Sequence, residues 1–203
     1  GKSNVGFSQE VLDLKATLEY INNNQNLGYS NIALLGHSRG GYAACCALEY
    51  DYNLSAVISV SGINSAMDGI MGASEQYIGP LAYGNYGFLW LYQAMLFGSD
   101  TVSLKANEIL ASSNTPALLI HGEDDKAYPA DKYSIISKLK ENKPQNTEIF
   151  IRTAPDNAGH TNLLFSKDGT ANDEVIKKIN EFLLDNRDLS IQELIKQSLK
   201  KLI

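Results

Sequence analysis

Residues 36–41 read Gly-His-Ser-Arg-Gly-Gly, set between the apolar run NIALL at 31–35 and the small-residue stretch GYAACCALEY at 41–50. An unbroken apolar run is the pattern of a strand covered on both faces, and a stretch rich in Ala, Cys and Gly suits a helix packed close against a sheet. The chain must therefore turn from strand to helix within a residue or two. Gly36 and Gly40, two residues either side of Ser38, are the glycines that let strand and helix approach while the Ser38 hydroxyl stands clear at the top of the turn. A strand–serine–helix unit of this kind needs a parallel neighbour reached by a right-handed crossover, which points to a layered α/β architecture.

The rest of the chain follows the same alternation. A helix is predicted over about 9–23, with Ser8 as its N-cap and Val11, Leu12, Leu14, Leu18 and Ile21 on one face. Strands are predicted at 31–36, 55–62 (SAVISVSG), 116–122 (PALLIHG) and 147–153 (TEIFIRT), and helices over about 129–141 and 172–185. A last amphipathic helix is predicted within 187–203, from Leu189, Ile191, Leu194, Ile195, Leu199 and Leu202. The order is α-β-α-β, an irregular insertion at about 63–112, then β-α-β-α-α. The insertion is rich in glycine and aromatic residues, and its stretch YGFLWLYQAMLF (86–97) is apolar nearly all round, so burial against something is expected.

Composition removes several classes of function. The 17 Lys and Arg against 23 Asp and Glu give a net charge of −6, with no basic run to hold a nucleic acid or an anionic membrane. No apolar stretch approaches the roughly 18–20 residues of a membrane helix. The two cysteines, Cys45 and Cys46, are adjacent, so no disulfide framework is expected, and a reducing, cytoplasmic setting is the expectation. No metal is expected, because H-E-x-x-H and C-x-x-C are absent, and no cofactor is expected, because neither glycine-rich phosphate-loop spacing occurs at 36–41.

The strand–G-x-S-x-G–helix unit is a nucleophile elbow, and GHSRGG resembles the elbow of the esterase and lipase-like branches of the α/β-hydrolase family. That resemblance implies a triad in chain order nucleophile, acid, histidine. After PALLIHG come Glu123, Asp124, Asp125, Lys126, Ala127, Tyr128 and Pro129, similar to the family's H-G-x-x-D-x-x-[VIF]-P segment. This selects Asp125, with Glu123 and Asp124 as competitors; Tyr128 departs from the usual aliphatic residue. Beyond TEIFIRT, Gly159-His160 is similar to the family's histidine loop. The chemistry agrees with the order: a serine hydroxyl needs an imidazole to take its proton, and the imidazole needs a carboxylate to fix its tautomer. The expected roles are Ser38 nucleophile, His160 base and Asp125 orienter, with His37 and His121 structural.

The resemblance implies a carboxylesterase-like serine hydrolase acting on a small ester through an acyl-enzyme. The alternatives are a peptidase or thioesterase on the same triad, or a catalytically silent binding scaffold. The Arg39 N–H is expected to be one oxyanion donor. The insertion is expected to be a lid, and His37, Tyr128, Trp90 and Phe88 are candidates to line the pocket. The family carries about four strands before the nucleophile strand, and none is legible here. The sheet is therefore expected to be the C-terminal portion of the fold, completed by a missing N-terminal segment or by a second copy in a homo-oligomer.

Overall fold

Period-two alternation in the strands decides the layering. In β2 (Leu54–Val60) and β3 (Ala117–Gly122), Val57, Ala117 and Leu119 face one layer, while Ala56, Ile58, Val60, Leu118 and Ile120 face the other. These are the central strands of a four-stranded, wholly parallel sheet of order β1-β2-β3-β4, flanked by β1 (Ile32–His37) and β4 (Thr147–Arg152). The computed structural model describes residues 6–24, 31–50, 52–139, 142–154, 156–166 and 168–200, with side chains as far as Asn186.

Helices cover both faces, as a parallel sheet requires. On one side lie α1 (Phe7–Asn23) through Val11 and Leu18, and α2 (Arg39–Cys46) through Tyr42, Ala43, Ala44, Cys45 and Cys46. On the other lies α8 (Asp173–Lys200), presenting Val175, Ile179 and Phe182 to Ile58, Leu118 and Ile120. Each fully buried Leu or Ile of this kind contributes about 1.5–3 kcal/mol. Burial pushes the Cys45 thiol up to about 12 and Cys46 well above its ordinary value, so both stay protonated and pack as small apolar groups. At the sheet edge Leu35 is 51% exposed, although its strand reads as fully buried.

The insertion follows β2 as α3 (Ala66–Ile78), a 3-10 segment Gly79–Asn85, α4 (Tyr86–Phe97), α5 (Ser99–Val102) and α6 (Ala106–Ser112). Ser65 caps α3, accepting the Asp68 N–H at 3.0 Å and donating to Asp68 Oδ2 at 2.6 Å. Asn64 holds the two ends together, its carbonyl accepting from the Ala106 N–H and its Oδ1 from the Asn107 N–H. The last piece, α6, packs Ile109 and Leu110 into the same layer as α2.

Several sequence expectations need correction. The cap of α1 is Gly6, and Ser8 lies inside the helix, fully buried. Of the helix expected over 129–141, residues 140 and 141 lie outside the described residues; among the described ones it is α7 (Ile135–Leu139), which starts late because Pro129 opens a series of turns that feeds Tyr128 and Tyr133 into the core. The two C-terminal helices are one continuous α8, whose side chains beyond Asn186 lie outside the described residues. The apolar stretch 86–97 is not buried. Only Gln93 is, while Phe88 is 74% and Met95 79% exposed, because α4 lies on the outside of the insertion and turns inward only the face of Leu89, Trp90, Gln93, Ala94 and Phe97. Among the described residues, no helix is long and apolar enough to cross a membrane, and no cluster of His, Cys, Asp and Glu could hold a metal ion.

Candidate active site

The parallel sheet brings its loops together at the carboxyl ends of the strands, and all the sequence-selected groups lie there. Ser38 follows β1 directly, and its N–H donates to the Val60 carbonyl at 2.8 Å, fastening the turn to β2. Its backbone sits at φ 56°, ψ −116°, a left-handed conformation that a non-glycine residue adopts only under constraint. The close approach that makes the turn possible is at Gly36, where a methyl group would lie 2.0 Å from the Gly40 carbonyl oxygen. Gly41 is the second tight position, 2.6 Å from Ser59 Oγ, whereas a methyl on Gly40 would meet nothing within 4 Å. The second elbow glycine expected from the pattern thus contributes its backbone, not its lack of a side chain.

Ser38 Oγ lies 2.8 Å from His160 Nε2, and His160 Nδ1 lies 2.7 Å from Asp125 Oδ2. Asp125, held as a carboxylate, can only accept. Nδ1 therefore carries the proton, leaving Nε2 free to accept from the serine hydroxyl. The acid is fixed by its own turn: Oδ1 accepts the N–H groups of Ala127 at 3.0 Å and Tyr128 at 2.9 Å. Burial pushes the Asp125 carboxyl upward. The hydrogen bonds from His160 and the Tyr128 N–H, with the neighbouring imidazoles, outweigh that and hold it below the usual aspartate value. Glu123 and Asp124 are exposed, so of the three acidic residues only Asp125 points inward.

The histidine loop is placed by backbone contact. The Asp124 N–H donates to the Ala158 carbonyl at 3.1 Å, and Gly122 is bare because a methyl there would lie 1.9 Å from that same oxygen. The Gly159 N–H donates to Asn162 Oδ1 at 2.8 Å. His37, beside the serine, donates from Nε2 to the His160 carbonyl at 2.7 Å, and the two rings lie 5.0 Å apart. Burial lowers the His37 imidazole below the ordinary histidine value.

Of the four residues expected to line a pocket, His37 and Tyr128 meet the His160 ring, Tyr128 at 5.4 Å. Trp90 and Phe88 lie on α4, Trp90 half-buried and Phe88 turned to solvent. Arg39, next to the serine, forms an ion pair with Glu10 at 3.3 Å and lies 5.9 Å from the Phe7 ring, which ties the start of α1 to the elbow. One set of contacts left no trace in the sequence pattern: the acid turn is bonded to the insertion. Tyr128 Oη donates to the Gly69 carbonyl at 3.2 Å and Gln76 Nε2 to the Ala127 carbonyl at 2.9 Å. Glu75 accepts from Lys132 Nζ and from the Tyr133 hydroxyl, which itself lies 2.7 Å from the Tyr83 hydroxyl.

Comparison with known proteins gives a consistent picture. The sequence profile of the prolyl oligopeptidase family matches residues 7–189. The Pyrococcus furiosus esterase Pf2001 superposes at a TM-score of 0.62 and 19% identity, covering 91% of this chain and 65% of the esterase. The α/β hydrolase GrgF of a Penicillium species superposes at 0.55 and 16% identity, over 90% of this chain and 73% of GrgF. The Pyrococcus horikoshii acylaminoacyl peptidase does so at 0.50 and 22% identity, over 76% of this chain and 24% of that enzyme. No curated protein sequence matches. At these identities the likeness is one of fold: the four parallel strands and their helices correspond to the C-terminal portion of an α/β-hydrolase.

Proposed function

Because the chain belongs to the prolyl oligopeptidase family, we propose that it is a serine hydrolase that cleaves carboxylic esters through an acyl-enzyme, with Ser38, His160 and Asp125 as its triad. The observation that carries this reading is the continuous relay Ser38 Oγ–His160 Nε2 at 2.8 Å and His160 Nδ1–Asp125 Oδ2 at 2.7 Å. In the first half-reaction Ser38 Oγ attacks the ester carbonyl as its proton passes to His160 Nε2. The tetrahedral oxyanion receives the Arg39 N–H at the start of α2. Collapse breaks the bond to the alcohol, which leaves with the proton from His160. Water then repeats the sequence on the acyl group and regenerates Ser38. Asp125 keeps His160 in the Nδ1–H tautomer and stabilises the imidazolium.

The insertion α3–α5 acts as a lid in this reading, supported by its hydrogen bonds to the acid turn. Peptide bonds are the second substrate class, favoured by the family match, since amide and ester cleavage use the same relay. The test is labelling by a fluorophosphonate probe, expected on wild type and lost in Ser38→Ala and His160→Ala. Parallel assays on p-nitrophenyl esters and acyl-peptide p-nitroanilides assign the substrate. Equal labelling of Ser38→Ala would refute the reading.

A further inference from the structure

His121 ends β3 in the middle of the sheet with 1% of its surface exposed, and the relay above does not use it. Its Nε2 lies 2.9 Å from the Tyr128 carbonyl oxygen and 3.3 Å from Asp125 Oδ2. Both are acceptors only, so Nε2 must carry the proton. Its hydrogen bond goes to the Tyr128 carbonyl at the far end of the acid turn, and Asp125 Oδ2 lies alongside at contact distance. Tyr128 returns its own N–H to Asp125 Oδ1 at 2.9 Å, closing a loop of contacts from imidazole to carbonyl to peptide to carboxylate. Oδ2, the atom His121 approaches, is the one that receives His160 Nδ1–H.

We propose that His121 is a positioning residue for the Asp125–His160 pair: its Nε2–H holds the Tyr128 carbonyl, and so clamps the acid turn and aims Oδ2 at His160. The inference rests on the proposed roles of Asp125 and His160. The titratable and charged groups facing this cluster are His37 beyond His160, Asp125 itself, and Arg39 near the Tyr128 ring. Burial holds the His121 imidazole below the ordinary histidine value, consistent with a donor that stays uncharged. A serine-to-histidine relay tolerates little movement of the orienting carboxylate, so a clamp on Asp125 acts on the chemistry without touching substrate.

The test uses the full chain and reads the clamp without requiring turnover. In wild type, nitrogen-15 NMR of the histidine side chains is expected to show His121 as the Nε2–H tautomer from pH 6 to 8. The hydrogen-bonded His160 Nδ1–H is expected as a downfield proton signal. In His121→Phe that signal shifts upfield and broadens, and kcat for p-nitrophenyl acetate falls about 10–100-fold with KM held, the usual scale for partners that orient a ligating or catalytic group. His121→Gln, whose amide nitrogen matches Nε2, restores both; His121→Asn, whose amide nitrogen matches Nδ1, does not. If His121→Phe fails to fold, the Gln–Asn contrast and the wild-type tautomer decide. An unprotonated Nε2 in wild type, or an unmoved His160 signal in folded His121→Phe or His121→Asn, overturns the clamp. Wild type that neither turns over the ester nor reacts with fluorophosphonate would instead overturn the hydrolase reading, leaving the spectroscopic result to stand alone.

Discussion

Alanine at position 36 and alanine at position 40 are expected to act with opposite sign, although both glycines belong to the same five-residue turn. A methyl at 36 would sit 2.0 Å from the Gly40 oxygen, 2.2 Å from the Gly40 carbonyl carbon and 2.7 Å from the Gly41 nitrogen. All three are backbone atoms, so no rotamer change relieves the contact. Clearing it to a tolerable carbon–oxygen distance moves the start of α2 about 1 Å away from β1. Ser38 lies between the two, so the shift carries Oγ out of its 2.8 Å contact with His160. Overpacking of this kind costs about 1–3 kcal/mol, and a 1 Å misplacement about a hundredfold in turnover. For a chain of this length the melting temperature of Gly36→Ala should fall by about 3–10 °C. Gly40 is inside α2, at ordinary helical dihedrals, with nothing within 4 Å of a built methyl. Gly40→Ala should therefore gain about 0.5–1 kcal/mol, or about 2–3 °C, and keep its fluorophosphonate labelling rate. Thermal melts followed by circular dichroism, run beside p-nitrophenyl acetate turnover, read both effects. A Gly36→Ala variant that melts and turns over like wild type, or a Gly40→Ala variant that loses as much as Gly36→Ala, refutes the packing account of the elbow.

Ser38→Gly should abolish labelling yet raise stability by about 1–2 kcal/mol in urea titrations, because glycine accepts φ 56° without strain. Asp125→Asn should cut turnover by about 10⁴ by presenting an amide N–H to His160 and reversing its tautomer. Glu123→Gln and Asp124→Asn, at exposed positions, should stay close to wild type. Burial lowers the His121 imidazole in the folded state, so on acidification the unfolded chain takes up its proton first. That contribution to stability is complete above about pH 6.5 and drains away below it, at up to about 1.4 kcal/mol per pH unit; urea midpoints from pH 7.5 to 5 measure the slope, which His121→Gln should lessen. Glu75→Gln should leave the melting temperature and p-nitrophenyl acetate turnover nearly unchanged while altering the preference between butyrate and acetate esters, since it weakens the tie between α3 and Tyr133. Superimposable chain-length profiles would count against the lid.

The residues of the relay were legible because each stands on a local pattern: a serine between a buried run and a small-residue helix, an acid at fixed spacing after H-G, a histidine after the last strand. Four strands and their parallel order were legible for the same reason, since continuous apolar runs separated by helices have few other solutions. What escaped depends on contacts distant in sequence. Gly40 was credited with a close approach that belongs to Gly36 and Gly41, because which backbone atom a Cβ would strike is a property of the packed turn. The helix 86–97 looked destined for burial because periodicity counts apolar residues and not their neighbours. In the fold it buries a glutamine and exposes Phe88 and Met95, within a stretch from Tyr77 to Ser99 that carries no charge at all. The link between the acid turn and the insertion joins residues more than 50 positions apart, through side chains whose spacing carries no signal.

The placement of Ser38 at a sheet edge raises the question of how a strained turn is held where half of the strand's surroundings are solvent. Leu35 is 51% exposed on β1, and among the described residues the hydrogen bonds named above reach the relay from β2 and from the loops after β3 and β4. The Ser38 N–H is taken by Val60 at the end of β2, and the acid turn grows from β3. The histidine loop follows β4, its Ala158 carbonyl locked to Asp124 and its His160 carbonyl to His37. Ser38, His160 and Asp125 thus form one hydrogen-bonded unit at the carboxyl ends of the strands. In the proposed reaction the Arg39 N–H, at the start of α2, supplies the oxyanion contact beside this unit. In an acyl-transfer site the two parts contribute separately: removing the relay leaves about 10³–10⁴-fold catalysis from the oxyanion donors and binding alone. In that reading the Ser38–His160–Asp125 contacts are held by several backbone hydrogen bonds, and the charge-stabilising part includes the Arg39 N–H. In the proposed reaction, ordered geometry in the relay is therefore necessary for ester turnover without fixing its rate. Fluorophosphonate reactivity, which needs the activated serine and also develops an oxyanion, reports both parts together.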